Sequence, residues 1–430
     1  MDFASGLTNL QKAAQSSSSA SNDNVNYRRG ENFKKRGSDS LSNYNADGNN
    51  RNNHNQRYSK RHDSRSRLSR DEEWIRKNLQ SLKPYNAKSV NIEAEPTCHL
   101  VLLFLTIDDL PFEHIWRAWM EDFDSKNEWK CPMKVSVLCH AKFPYKVKSK
   151  WLQKRLLRRH HKYHSYRPEW GSVEITRGMI DLLYDGLHVN ELNVNETNNS
   201  DSPPVEPDRF LFLSESCLPI HSLHYFYETL YLPTKKDKTK NKHYGKSWIN
   251  ARNSPNNGYS RQLQFDRVSQ AIPQSKVWKA DQWMLLTRNH AEAIVKNNLP
   301  SALSRCVPLW TMFKYVKASD EIYFPTAFAL LGIFIDSTNN DNVESDEKMS
   351  ESIGEEVIKK RVTYCDWSGG DKNPVSFKGI RQLREVAMQA KSNGCLIARK
   401  FVPLDEKSNS QKKDTPITID EWMKIIETGN

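Results

Sequence analysis

Three apolar runs of strand length alternate with segments of helical pattern, and this alternation constrains the fold more than any other feature of the sequence. The runs are HLVLLFLTI at 99–107, MKVSVLCHAK at 133–142 and DRFLFLSES at 208–216. We read them as buried strands, because apolar residues follow one another with few interruptions. Strands that alternate with helices predict an α/β fold, with functional residues in loops at the carboxyl ends of the strands.

The segments between these runs predict helices with one apolar face. Apolar residues recur at helical spacing between 115 and 123, directly after the first run. RGMIDLLYDGL at 177–187 and SLHYFYETLY at 222–231 are read as two further helices.

Composition divides the chain into a polar tail, a domain and a C-terminal segment. Of its 430 residues 37% are hydrophobic, so a sizeable part lies outside any core. Residues 1–92 are predicted to be a disordered basic tail, since Ser-, Asn- and Arg-rich sequence cannot bury enough apolar surface to offset ordering entropy. We place the domain at 93–405, and at 406–430 a tail with a short helix that carries Trp422 and Ile425 on one face.

The sequence shows neither a membrane span nor a secretory signal. No apolar run approaches the roughly 18–20 residues that a bilayer span requires, and the N-terminus lacks the apolar segment of a signal peptide. Sequons at Asn195 and Asn198 have meaning only in the secretory pathway, and Asn-rich sequence also produces them by chance. Seven scattered cysteines without a CxxC pair indicate buried thiols or disulfide halves.

The net charge of +12 favours polyanionic or phosphate-bearing partners. The most basic block, 142–162, has nine Lys and Arg and no acid, with apolar residues at helical spacing from 151 to 156. The block is either a solvated helix face or a guide for a nucleotide diphosphate or an anionic acceptor. His160 and His164 could bind zinc, but no third ligand stands at useful spacing.

The stretch ASDEIYFPT at 318–326 places two adjacent carboxylates directly before apolar residues. Carboxylates are usually solvated, so this order indicates either a strand that starts at the surface or an acid whose burial tunes its chemistry. A helix N-cap pair is a further alternative.

The same stretch is one of four segments with a shared resemblance. In the first segment a buried strand delivers Ser214 and Glu215, and the second has a Trp-basic-x-x-Gln-Trp strand followed by a helix. The segments are RFLFLSESCLPIHSLHYFYETL at 209–230, VWKADQWMLLTRNHAEAIV at 277–295, SDEIYFPT at 319–326 and VTYCDWSGGDKNPVSF at 362–377, closed by GCLIARKF at 394–401. In this order they resemble the core-2/I-branching N-acetylglucosaminyltransferase family (glycosyltransferase family 14), most closely its divergent plant-type branch.

The resemblance covers residues 97–403 and implies both a fold and a reaction. The fold is a GT-A type glycosyltransferase fold, an α/β sheet that binds a nucleotide sugar beside an acceptor cleft. The reaction is an inverting transfer of a sugar, typically N-acetylglucosamine from its UDP donor, to a glycan or glycoprotein. Family members are anchored in the Golgi membrane, although this sequence shows no anchor.

An inverting transfer requires a carboxylate that takes the proton of the acceptor hydroxyl, and positive charge that stabilises the departing diphosphate. Glu321 stands where the family keeps its base, and the apolar residues after it would partly desolvate it. Asp320 is assigned to positioning on the acceptor side. Ile322 replaces a histidine that is usual in the plant-type branch, which leaves substrate specificity open.

The resemblance assigns the diphosphate to basic side chains, so neither a metal nor another cofactor is expected. It implies Lys400 and Arg399 as diphosphate contacts, with Arg361 as a further cation; an exposed strand end would also explain the first two. The sequence Asp122-Phe123-Asp124 is the one Asp-x-Asp present, and it reads better as a solvated helix terminus than as a metal site.

The remaining assignments concern the donor nucleotide and the acceptor. His140 follows the second strand in the plant-type pattern, so we assign it with Glu215 to the donor nucleotide and sugar. Arg261 and Trp278 fall on the family's acceptor side, with packing or surface roles as the alternative, and Trp283 is read as core.

Two other functions remain open from the sequence. A protein of this fold without activity would bind carbohydrate only. A basic nucleic-acid-associated protein would use the tail and the block at 142–162, but no recognition module supports it.

Overall fold

The centre of the fold is β1 (His99–Thr106), the first of the predicted buried strands. It lies between β2 (Lys134–Ala141) and β3 (Arg209–Ser214) and runs parallel to both. The computed structural model describes residues 77, 79–80, 82–86, 97–121, 131–157, 167–192, 205–232, 243, 245–252, 272–298, 308–334, 356–369, 373–404 and 415–427, all within one compact unit, 62–430.

Further short strands complete two sheets. In chain order they are β4 (Leu218–Pro219), β5 (Ser247–Trp248), β6 (Leu285–Thr287), β7 (Val357–Ile358), β8 (Thr363–Cys365) and β9 (Ile397–Arg399). The six-stranded sheet has the order β2-β1-β3-β6-β5-β7, in which β6 is antiparallel to both neighbours. The three-stranded sheet has the order β4-β9-β8, with β8 and β9 parallel.

Helices cover both faces of the larger sheet, and β1 shows this through its alternating side chains. Leu100, Leu102 and Phe104 belong to one buried cluster, whereas Val101 and Leu103 belong to another. Burial on both faces explains why the run is apolar without alternation. The helices are α1 (Glu113–Glu121), α2 (Lys150–Gln153), α3 (Val173–Leu187), α4 (Val189–Leu192), α5 (Leu223–Tyr231), α6 (Arg288–Lys296), α7 (Ser319–Leu330), α8 (Gly379–Ser392) and α9 (Ile419–Glu427), with 3-10 turns at Pro144–Lys146, Gln274–Lys276 and Leu309–Phe313.

This mixed α/β architecture with a mostly parallel central sheet confirms the predicted fold class and is consistent with a GT-A type fold. The predicted strands at 99–107, 133–142 and 208–216 are present within one or two residues of their expected bounds.

The carboxylates of the ASDEIYFPT stretch begin α7, so among the alternatives left open by the sequence the strand is excluded and the helix start is present. One local prediction is wrong, that of a helix face across the basic block. The described part of the basic block, 142–157, holds only the four-residue α2 and a 3-10 turn as helical structure. Residues 155–157 pair with the edge of β2, since the Cys139 N–H donates to the Arg155 carbonyl at 2.8 Å and the Leu157 N–H donates to the Cys139 carbonyl at 3.1 Å.

Segments at both ends of the chain pack on the domain, among them part of the predicted N-terminal tail and the predicted C-terminal helix. Within the expected N-terminal tail, the Tyr85 N–H donates to the Leu331 carbonyl at 2.9 Å, and Leu82 packs against the core. At the other end, α9 buries Trp422 completely, and its indole N–H donates to the Pro219 carbonyl at 2.9 Å. Apolar side chains in otherwise polar sequence supply these contacts.

The described cysteines are free thiols, which fits the first of the two predicted roles. They are Cys98, Cys131, Cys139, Cys217, Cys365 and Cys395. Within the described ranges, no helix combines the length and apolarity needed to cross a bilayer.

Candidate active site

A cavity of about 560 Å³ opens at the carboxyl ends of β1, β2 and β3. These ends meet because the strands are parallel: Thr106 pairs with Ala141, and Leu105 pairs with Ser214. The ends of β8 and β9 and the first turn of α7 complete the wall. This is the edge at which open α/β sheets bind ligands. The predicted site residues that line the cavity are His140, Glu215, Asp320, Glu321, Arg361, Arg399 and Lys400.

A close backbone approach holds the first turn of α7 at the cavity. Ala318 precedes the helix in the left-handed region (φ +53°), and its N–H donates to the Gly171 carbonyl at 2.8 Å. A Cβ at position 171 would come within 3.3 Å of the Ala318 nitrogen, and φ there is +72°, so glycine is the residue that fits. Ser319 Oγ hydrogen-bonds to Thr176 Oγ1 of α3 at 2.7 Å. These contacts fix the direction of the two carboxylates that follow.

Glu321 presents a partly exposed carboxylate to the cavity. Its side chain keeps 28% of its surface exposed, and Oε2 lies 3.4 Å from Lys279 Nζ. Its backbone carbonyl accepts the Ala280 N–H at 2.8 Å. An accessible carboxylate held in this way can accept a proton from a substrate hydroxyl.

Asp320 is the buried carboxyl group of the pair. Only 5% of the residue is exposed, and Oδ1 has no hydrogen-bond partner. Burial raises the pKa of Asp320 to about 7; the charge of Glu321 adds to the rise, and Lys279 opposes it. The sequence predicted desolvation of Glu321, so the strong burial falls one residue earlier than expected.

The segment 279–283 supplies three alternate side chains that each contact a predicted site residue. Ala280 within it is buried, and Asp281, Gln282 and Trp283 line the cavity. The three contacts are Lys279 with Glu321, Asp281 Oδ2 with Arg361 Nε at 3.0 Å, and the Trp283 ring with Arg399 Cζ at 4.6 Å from the ring centroid. One short segment therefore links the predicted base to two predicted diphosphate cations.

Asp281 connects this segment to a wider set of polar groups. Besides Arg361, it accepts a hydrogen bond from Asn250 Nδ2 at 2.8 Å and lies 3.4 Å from Arg252 Nη2. Two arginines and one amide around a single carboxylate leave net positive charge at this wall of the cavity.

Arg399 and Lys400 at the end of β9 form the other part of the cationic wall. In the described part of the chain, neither makes an ion pair within 4.0 Å. Arg399 Nε is buried without a hydrogen-bond partner, and Nη1 lies 3.8 Å from Cys365 Sγ. Donors left open on a charged group can bind an anionic ligand.

Glu215 follows β3 and faces these cations. Burial raises the pKa of Glu215, while the charges of Arg399 and Lys400 oppose that rise. The preceding Ser214 is buried and hydrogen-bonds through Oγ to Ser216 Oγ at 2.9 Å. The carboxyl group therefore stands on a hydrogen-bonded turn at the wall of the cavity.

His140 reaches the cavity from the end of β2 and is 1% exposed. Its ring packs on α3 at Gly178, where a Cβ would come within 3.2 Å of His140 Cδ2. The absence of a side chain at position 178 leaves the ring its space. His140 is thus held at the predicted nucleotide end of the cavity by packing on a helix.

One of the predicted acceptor residues, Trp278, does not line this cavity. Trp278 is 4% exposed and packs with Phe334 at 4.9 Å between ring centroids, so its placement on the acceptor side is corrected to the core. Arg261 lies outside the described residues. Trp283, read as core from the sequence, is mostly buried but also lines the cavity. Ile322 is 1% exposed and belongs to the core.

Reading the sequence missed several residues that line or organise the cavity. Lys279 and Asp281 were not singled out, although the alternation Lys-x-Asp-x-Trp at 279–283 is the pattern of a segment with one polar face. Trp170 and Trp367 line the cavity with 68% and 52% of their surface exposed. Exposed tryptophans cannot be told from buried ones by residue type.

Among the described residues, no group of three or more His, Cys, Asp and Glu side chains could hold a metal ion. The Asp122–Asp124 motif, His160 and His164 lie outside the described residues, as do both sequons.

Comparison with known proteins adds one finding to this geometry. Residues 202–390 match the family model of the Core-2/I-Branching enzyme. The match includes β3, the segment 279–283, α7 and Arg361, but it ends before β9. Core-2/I-branching enzymes are glycosyltransferases, and the match supports transferase activity for this chain. No curated protein matches the chain.

Proposed function

We propose that this chain is an inverting glycosyltransferase that moves a sugar, N-acetylglucosamine from UDP-N-acetylglucosamine, to a hydroxyl of a glycan or glycoprotein. In this proposal Glu321 is the base, and cationic side chains act in place of a metal. The observation that carries it is that segment 279–283 holds Glu321, Arg361 and Arg399 on the wall of one cavity.

The proton follows a direct path in this reaction. The acceptor hydroxyl attacks the anomeric carbon of the donor while its proton passes to a carboxylate oxygen of Glu321. The new bond forms on the face opposite the leaving group, so the configuration at that carbon inverts. The partial exposure of Glu321 suits this role, because a base must be reachable by the hydroxyl.

The leaving group takes the electron pair of the broken bond and departs as UDP. Its diphosphate gains negative charge in the transition state, and prearranged cations stabilise charge that develops there. Arg361, Arg399 and Lys400 line the same cavity as Glu321 and are assigned to this role. His140 and Glu215 are assigned to the nucleotide and the donor sugar, and Asp320 to positioning of the acceptor beside the base.

The family match also supports an expectation about location. Core-2/I-branching enzymes are typically Golgi enzymes, so we propose that the chain works in the Golgi, at the membrane or in the lumen. Sensitivity of the mass of the expressed protein to an N-glycosidase tests whether the chain enters the secretory pathway.

The test of the proposed function is UDP release from UDP-N-acetylglucosamine by the wild-type chain and by Glu321→Gln. Loss of the base should reduce turnover by roughly 10²–10⁴-fold. UDP affinity, measured by calorimetry, should stay within about twofold, since the diphosphate contacts remain. Glu292→Gln on the exposed side of α6 removes a carboxylate elsewhere and should leave both quantities unchanged.

Equal UDP release by the wild type and by Glu321→Gln would contradict the assignment of the base. UDP binding without turnover in the wild type would identify a carbohydrate-binding protein of the same fold.

A further inference from the structure

Exposed aromatic side chains border one side of the cavity mouth. Trp170 lines the cavity with 68% of its surface exposed, and Tyr145 is 67% exposed. Phe143 also lines the cavity, with its ring centroid 6.1 Å from that of Tyr145. Large apolar surfaces left open beside a cavity mark binding sites more often than chance. Flat rings of this kind offer faces on which sugar rings can stack.

Each of these rings also has a cation over it. Lys146 Nζ lies 4.7 Å from the Phe143 centroid, and Arg167 Cζ lies 5.6 Å from the centroids of both Phe143 and Tyr145. Lys317 Nζ lies 5.1 Å from the Trp170 centroid. We call this set the basic-aromatic rim: Phe143, Tyr145, Lys146, Arg167, Trp170 and Lys317.

Positive charge dominates the sequence that supplies most of the rim. Glu169 is the carboxylate beside it in sequence; its side chain is 80% exposed, and it lies 3.2 Å from Lys142 Nζ. From 142 to 167 the sequence has ten Lys and Arg and no Asp or Glu. The excess positive charge favours an anionic partner.

The donor does not account for this charge. Its diphosphate already has assigned cations, Arg361, Arg399 and Lys400, at the smaller sheet. Most of the rim lies between β2 and α3 in sequence, and Tyr145 and Trp170 each leave about two thirds of their surface exposed. It also adjoins the start of α7, because Lys317 directly precedes Ala318, which is bonded to Gly171.

We propose that the basic-aromatic rim is the binding site for an acidic oligosaccharide, a glycan that carries carboxylate or sulfate groups. Sugar rings stack on Phe143, Tyr145 and Trp170, and the anionic groups pair with Lys146, Arg167 and Lys317. That this glycan is the acceptor rests on the proposed function. The binding itself does not, since it requires no turnover.

The test compares two probes by calorimetry on the full chain: an oligogalacturonide and an uncharged chitooligosaccharide of equal length. The wild type should bind the acidic probe more tightly, and added salt should weaken that binding. The double variant Lys146→Gln/Arg167→Gln should weaken it by about 10-fold, because two charge-assisted contacts are lost. UDP affinity should change less than twofold.

A matched double variant controls for net charge. Lys296→Gln/Arg384→Gln removes the same two charges from surfaces that do not line the cavity, and it should leave binding of the acidic probe unchanged. Equal binding of both probes, equal loss in the two double variants, or a loss of UDP affinity alone in the rim variant would overturn the proposal. If the wild type shows no turnover but binds the acidic probe through the rim, the binding site is supported and the proposed transferase activity is contradicted.

Discussion

Lys279 Nζ lies 3.4 Å from Glu321 Oε2, so the carboxylate proposed as the base is paired with a cation from the segment that also contacts the proposed diphosphate cations. Two positions further, Asp281 pairs with Arg361 at 3.0 Å. Under the proposed function, one segment would fix the distance between the base and the cations that bind the diphosphate. Displacement of this segment should therefore affect both halves of the reaction.

Replacement of Lys279 tests the first of these contacts. Lys279→Met removes the cation that lies 3.4 Å from the Glu321 carboxylate and orients it. We expect kcat to fall by about 10-fold with little change in the donor KM, since a misplaced base slows chemistry more than binding. Lys279→Arg keeps the charge and should restore most of the rate. An equal loss in both variants would show that the ion pair has no part in positioning the base.

Asp281 should act through Arg361. Asp281→Asn removes the charge that holds the guanidinium, so we expect the donor KM to rise and kcat/KM to fall by about 10-fold. Arg361→Gln should give a comparable loss. If the two residues act as one unit, the double variant loses little more than either single variant, which a double-mutant cycle measures. Additive losses would mean that Asp281 acts by holding Arg252 or Asn250 and not by holding Arg361.

The buried Asp320 predicts a pH dependence of stability. Burial raises its pKa to about 7, against about 3.9 in an unfolded chain. Between these values the unfolded state has released the proton and the folded state has kept it, so the free energy of unfolding falls as pH rises from about 4 to 7. Asp320→Asn cannot ionise and escapes this loss.

The measurement is urea unfolding of the wild type and Asp320→Asn across this range. The free energy of unfolding of the variant should rise relative to that of the wild type between pH values of about 4 and 7. Above that range the difference between the two should stay constant. At about 1.4 kcal/mol per pKa unit, the total gain is on the order of a few kcal/mol. A gap that does not change with pH would contradict the burial of a neutral carboxyl group.

The long strands could be predicted from the sequence because a strand that is buried on both faces is apolar at nearly every position. β1 and β3 are continuous apolar runs, and their burial requires no knowledge of the rest of the chain. β5 and β7, with two residues each, carry too few positions for any pattern. Their pairing depends on neighbours that are distant in sequence.

The residues that line the cavity could be predicted only in part. Glu321 and Lys400 could be named from the motifs that contain them, whereas the partner of Glu321 could not. In the segment 277–283, the sequence does not say which side chains face the cavity, and the lining residues Asp281, Gln282 and Trp283 follow one another without the period of a strand. The sequence analysis assigned Trp278 to the acceptor side and Trp283 to the core. In the structure Trp278 lies in the core, and Trp283 is mostly buried but also lines the cavity.

Two glycines of α3 provide a matched pair for the nucleotide end of the cavity. A Cβ at Gly178 would come within 3.2 Å of the His140 ring, and a Cβ at Gly186 would come within 3.2 Å of the Phe210 ring. Both substitutions by alanine crowd a buried ring by the same amount, and both gain about 1 kcal/mol of helix propensity. Only the first ring lines the cavity.

Gly178→Ala should therefore weaken UDP binding several-fold, because His140 must shift to accept the methyl group. Gly186→Ala should change the urea midpoint by a similar amount and leave UDP affinity as it was. Calorimetry with UDP and urea unfolding of both variants provide the comparison. If both variants bind UDP like the wild type, His140 is a packing residue of the β2 end and has no contact with the nucleotide.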